Sequence, residues 1–145
     1  MPTVYTIGFT RKSLEQFIGL LKTAGVESVI DIRLRNTSQL AGWSKYPDFA
    51  FLLRAGFGIG YEHRPEFSPT GELLDRYKKD RDWSSFERDF KRLLRSRDSR
   101  KAATSLIRIQ PICLLCTEPE PDRCHRRLVA EYMANVGGSD VSIEH

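Results

Sequence analysis

The stretch TVYTIGFTRKSLEQFIGLLKTAGVESVIDIR, residues 3–33, decides the fold. Thr3 to Gly8 is a short β-branched and aromatic run ending in glycine. Ser13 and Glu15 follow, with Leu14, Phe17, Ile18 and Leu21 at helical spacing. Gly25 stops that helix, and Ser28-Val29-Ile30-Asp31-Ile32-Arg33 suits a strand buried on both faces, its charges confined to the far end. Strand, helix and strand in this order predict a parallel β-α-β unit.

Outward from this unit the alternation continues. Pro47 opens a helix through Phe49, Leu52 and Leu53 that Gly56 closes, and residues 58–63 read as a third strand. Ser68-Pro69 begins a helix carrying Leu73, Leu74 and Tyr77. Trp83, Phe86, Phe90, Leu93 and Leu94 mark one apolar face of a basic helix, and these aromatics read as core. A short helical segment around Leu106 precedes the apolar run Ile112-Cys113-Leu114-Leu115-Cys116, a buried strand. Asp122 is placed to cap a last helix closed by Gly137-Gly138, and residues 140–143 form a last strand. The expected class is α/β: a single domain over residues 1–145, with a mainly parallel sheet of about five strands and helices on both faces, a Rossmann-like three-layer arrangement.

The chain has 145 residues, 40% hydrophobic and 29% charged, an ordinary composition for one globular core. No run approaches the roughly 20 apolar residues of a membrane span, and the start lacks a basic region followed by an apolar one, so neither export nor insertion is expected. Three cysteines, all within Cys113 to Cys124, do not make a disulfide framework, which fits a reducing compartment, by default the cytoplasm. Net charge is +4. Seven basic residues against two acids lie between Arg88 and Lys101, a face through which Arg88, Arg92 and Arg95 could attract nucleic acid, although such runs are often solvated surface.

The chemical weight of the chain lies in Cys116-Thr117-Glu118-Pro119-Glu120-Pro121-Asp122-Arg123-Cys124-His125-Arg126-Arg127. Two thiols, an imidazole, acids and arginines surround a strand-to-helix turn. A helix starting near Asp122 puts Cys124 and His125 in its first turn, where unpaired N–H groups and the helix dipole favour an anion or a thiolate. Arg126 and Arg127 add forked donors suited to carboxylate or phosphate. A metal site from Cys113, Cys116, Cys124 and His125 is disfavoured by geometry: residues three apart on a strand face opposite ways, and consecutive helical residues diverge by about 100°. No metal and no cofactor are therefore expected.

Two chemical readings stay open beside a purely structural one. In the first, Cys124 is a nucleophile with His125 as base and Glu118 beside them, a cysteine-based hydrolase, redox or thiol-transfer centre. In the second, ranked first, an anionic ligand such as a nucleotide is captured without covalent chemistry. Its contacts would come from the carboxyl ends of three strands: Gly8, Thr10 and Arg11; Asp31, Arg33 and Arg35; Cys116 and Arg126. Asp31, buried at a strand end, needs a partner, and Arg33 could provide one structurally. Cys113 reads as a small core hydrophobe.

Thr6-Ile7-Gly8-Phe9-Thr10 with Ser13-Leu14 and Phe17, Asp31-Ile32-Arg33, Tyr61-Glu62-His63 with Pro65-Glu66, Leu114-Leu115-Cys116-Thr117-Glu118 and Cys124-His125-Arg126 together resemble the bacterial and archaeal domain-of-unknown-function family 488. The resemblance covers nearly the whole chain. It implies an α/β fold and a site at Asp31, Arg33, Cys116, Glu118, Cys124, His125 and Arg126, and no established reaction. The chain departs from the commoner Thr-Ile-Gly-His start by carrying Phe9, which puts base chemistry at that position in doubt.

Overall fold

The computed structural model describes residues 3–9, 12–34, 44–97, 99–108, 111–116, 124–137 and 142–145. Strand β1 (Thr3–Gly8) leads into helix α1 (Leu14–Ala24). Ser13 and Gln16 cap α1 reciprocally: the Gln16 N–H donates to Ser13 Oγ at 3.1 Å and the Ser13 N–H to Gln16 Oε1 at 2.9 Å. Gly25 ends it with φ of 71°, a left-handed conformation that only glycine adopts freely. Ser13→Ala is expected to cost about 1 kcal/mol in urea denaturation, with no change in the slope of the transition. A loss indistinguishable from zero would show that the box holds nothing.

Strand β2 (Ser28–Asp31) is followed by helix α2 (Asp48–Phe51), which continues as a π-type turn through Leu52–Gly56. Strand β3 (Gly60–His63) is two residues shorter than the sequence predicts, because Gly58 takes a positive φ of 64° and breaks the extended run. A 3-10 turn (Pro65–Phe67) precedes helices α3 (Gly71–Asp80), α4 (Trp83–Ser96) and α5 (Arg100–Arg108). Strand β4 (Ile112–Cys116), helix α6 (His125–Gly137) and strand β5 (Ser142–Glu144) complete the order. Helix α6 starts at His125 rather than near Asp122, and the last strand is 142–144 rather than 140–143. Asp122 and Gly138 lie outside the described residues. No helix among the described residues is long and apolar enough to cross a membrane.

The strands pair in parallel in the order β3-β2-β4-β1-β5: four strands of four to six residues, with the three-residue β5 at one edge. The expected α/β class, a parallel sheet with helices on both faces, is the fold observed. Period-two alternation sends neighbouring side chains into different cores. Val29, Cys113, Leu115 and Ile7 pack with Phe17, Leu21, Phe49 and Leu53 under α1 and α2. Val4, Ile30, Ile112 and Leu114 pack with Phe86, Phe90, Leu106, Leu128 and Met133 under α3 to α6. The aromatics of α4 are thus core, as their spacing predicts.

The topology also selects a site. From β1 the chain crosses beneath α1 toward the β3 edge, and from β4 it crosses over α6 toward the β5 edge. Since β1 and β4 are neighbours, their connections leave in opposite directions and open a crevice at their carboxyl ends, the usual place for a ligand in such sheets.

Candidate functional site

Cys116 ends β4 on the face shared by Ile112 and Leu114. Cys124 immediately precedes α6, and His125 is its first residue. One donor atom from each of these three residues, the two Sγ atoms and a ring nitrogen, lie within 4.8 Å of one another, and all three residues are buried. Cys116 Sγ is 3.3 Å from His125 Nδ1. His125 Nε2 lies 2.7 Å from the carbonyl oxygen of Ile32, and a carbonyl can only accept, so Nε2 carries the proton and Nδ1 is left as an acceptor; Cys116 Sγ, 4.0 Å from Nε2 as well, sits beside the ring rather than in line with the Nδ1 lone pair. The Ser68 hydroxyl donates to the same carbonyl at 2.9 Å. Phe90 meets the imidazole edge-on with ring centroids 5.6 Å apart.

The sequence argument against convergence of Cys124 and His125 is corrected here. It assumed that both are helical; Cys124 stands outside the helix, so its side chain is free of the 100° rotation. The argument separating Cys113 from Cys116 holds, with Cys113 in the opposite core. Burial pushes the Cys113 thiol up to about 12 against the opposing charge of Arg126, so it stays protonated. The expectation of an activated Cys124 thiolate also changes. Burial, joined by the neighbouring Cys116, pushes the Cys124 thiol well above its ordinary range, and His125 offsets this only in part.

Asp31 and Arg33 are not brought to the thiols. Both point to the α1–α2 face, where each is buried. Asp31 Oδ1 accepts from the Arg33 backbone N–H at 3.0 Å and Nε at 2.9 Å, and Oδ2 accepts from Nη2 at 2.8 Å. The Tyr61 hydroxyl donates to Oδ2 as well. Arg33 also donates to the Ser44 carbonyl at 2.9 Å, and its guanidinium carbon lies 5.2 Å from the Phe9 ring centre and 5.8 Å from that of Phe49. Phe9 is buried core over this pair. His63, at the end of β3, donates from Nε2 to the Arg33 carbonyl at 2.7 Å.

Gly8 and Arg126 do meet. They line a cavity of about 680 Å³ that runs along β1 from Tyr5 to Gly8 and under the carboxyl-terminal half of α1, together with Lys12, Cys113 and His145. Thr6 Oγ1 and His145 Nδ1 are 2.6 Å apart across it. The sequence reading missed Lys12 and His145; the signal for Lys12 is its place just after β1, at a strand end the topology favours. Thr10, Arg11, Arg35 and Glu118 lie outside the described residues. Arg127 turns away to α4, donating to Glu87 at 3.2 Å and to Glu131 at 2.9 Å. Partial burial raises the Glu87 carboxyl, but Lys91 and Arg127 outweigh it and hold the group below its ordinary value.

The basic helix presents Arg88, Arg92 and Arg95 on its exposed side, with Glu87 and Asp89 interleaved. Arg88 lies 3.6 Å from Asp89, which Arg76 also pairs at 2.6 Å. Arg95 stands on the rim of a groove of about 950 Å³ whose lining includes Leu94, Leu128 and Tyr132. Arg97 does not belong to this face, since it donates to the carbonyls of Pro65, Glu66 and Ser68 and braces the turn before α3.

Searches of curated proteins and of solved structures returned no match. The family model described as domain of unknown function DUF488 matches residues 13–133, a span holding α1 through most of α6 and all three residues of the thiol–imidazole cluster. By that match over most of its length, the chain belongs to the DUF488 family.

Proposed function

We propose that the protein binds a phosphate-bearing anion in the cavity that runs along β1. The observation that carries this reading is the meeting of Lys12, Arg126 and His145 along one pocket. Arg126 lies in the first turn of the 13-residue helix α6, whose amino end adds positive potential. Gly8 leaves backbone accessible beside it, and about 680 Å³ is within the range of small-ligand pockets.

Calorimetric titration with inorganic phosphate, pyrophosphate and nucleoside monophosphates tests the reading. At least one of them is expected to bind, with affinity falling as salt rises. Lys12→Glu is expected to weaken binding by about tenfold or more, the loss of one charge-assisted contact. Absence of binding at millimolar anion, or binding unaffected by Lys12→Glu but abolished by Arg92→Ala with Arg95→Ala, would overturn the pocket; the latter would move the anion to α4.

A further inference from the structure

We propose that Cys116, Cys124 and His125 form a binding site for a borderline-soft divalent transition-metal ion of the zinc type, with three protein donors and a fourth position for an exogenous ligand. The donor set selects the ion. Two sulfurs and an imidazole nitrogen suit zinc or cobalt, whereas magnesium and calcium require oxygen ligands. Zinc–sulfur bonds of about 2.3 Å and zinc–nitrogen bonds of about 2.0 Å in a tetrahedron set donors about 3.5–3.8 Å apart. Cys116 Sγ and His125 Nδ1 are already 3.3 Å apart, and no pair of the three donor atoms exceeds 4.8 Å. Closing onto an ion also needs the Cys116 side chain to rotate away from Nε2, now 4.0 Å from its sulfur, to about 5 Å, so that the ion meets the Nδ1 lone pair.

The surroundings are those a metal-binding histidine needs. Its Nε2–H is anchored on the Ile32 carbonyl at 2.7 Å, which fixes the tautomer and leaves Nδ1, beside the Cys116 sulfur, as the nitrogen available to an ion. That anchor is itself held, because the Ser68 hydroxyl bonds the same carbonyl, and Phe90 packs edge-on against the ring. Charge also balances. On binding, each thiol passes its proton to solvent and donates a sulfur lone pair to the ion, so two thiolates and one divalent cation give a neutral centre. A neutral centre avoids the penalty of an uncompensated buried charge. This site lies on the α6 side of the sheet, and it stands or falls independently of the anion pocket.

The test is anaerobic titration of the reduced, metal-free protein with cobalt(II). One equivalent is expected to produce thiolate-to-cobalt charge transfer and the intense visible bands of a tetrahedral ion. Zinc should bleach both, with release of about two protons per ion at neutral pH. Cys113→Ala, in the opposite core, should leave the spectrum unchanged. Cys124→Ala and Cys116→Ser should each weaken binding by more than about 100-fold, since loss of outer-shell partners alone costs 10–100-fold. The wild-type spectrum keeps the test decisive even if a variant fails to fold. Absence of tetrahedral cobalt in the wild type would overturn the site. So would a spectrum that Cys113→Ala abolishes, or a reduced protein that ignores metal while air closes a Cys116–Cys124 disulfide, read as a loss of two hydrogens by mass.

Discussion

Replacing Asp31 with alanine is expected to destabilise the protein by about 3–5 kcal/mol, a large part of the 5–15 kcal/mol that holds a typical domain. The reason is what the substitution leaves behind. Arg33 is 2% exposed and gives two side-chain bonds and one backbone bond to the Asp31 carboxylate, so its charge would stay buried without its counterion. Tyr61 would lose its acceptor in the same step. The ring faces of Phe9 and Phe49 offset only a small part of this loss, because a cation over a ring contributes about 0.5–2 kcal/mol. Arg33→Ala should be comparably damaging, for it strands the carboxylate. The double change Asp31→Leu with Arg33→Met should cost less than either single change, since an apolar pair removes both desolvation penalties. Urea denaturation of the wild type and these three variants ranks the costs on one scale. A cost below about 1 kcal/mol for Asp31→Ala would mean that the pair contributes no more than a surface one.

The same pair shows how far sequence alone reaches. Asp31 and Arg33 stand two apart on a strand, so their shared face follows from the period of a strand, and an ion pair between them was one of the expectations. Which face they share does not follow. That depends on β2 lying beside β4 with α6 on the far side, and strand order is set by long-range packing that no local pattern encodes. The expected single cleft joining Asp31 and Arg33 to Cys124 therefore dissolves into two sites on opposite faces.

The thiol cluster failed to be read for a smaller reason. Cys124 is one residue outside α6, and helix boundaries read from sequence shift by more than that. A shift of one position turned a convergent pair into a divergent one. The proton on His125 Nε2 was equally hidden, because the carbonyl that fixes it belongs to Ile32, 93 positions away. Lys12 and His145 share a cavity although they stand at opposite ends of the chain. By contrast, α1 was legible in full, since its cap, its apolar spacing and its terminal glycine are all local.

Phe90→Ala is expected to cost about 3–5 kcal/mol, the range for emptying an aromatic site in a packed core. Phe90 is fully buried, near-parallel to Phe86 with centroids 5.9 Å apart on one side and edge-on to His125 on the other. It closes an aromatic row that begins at Tyr77 and passes through Trp83 and Phe86. Removal loses the transfer energy of the ring and also leaves a void that rigid neighbours fill only partly. Phe90→Leu keeps the position apolar and most of its volume, so its cost should be clearly smaller. The two variants separate packing from position. If the ring also fixes the imidazole, Phe90→Leu should still weaken cobalt binding at the thiols while leaving anion affinity at the Lys12 pocket unchanged. A Phe90→Ala protein no less stable than one carrying Arg92→Ala on the exposed side of the same helix would contradict this account. In that case α4 would not be what holds the α6 side of the sheet closed around His125.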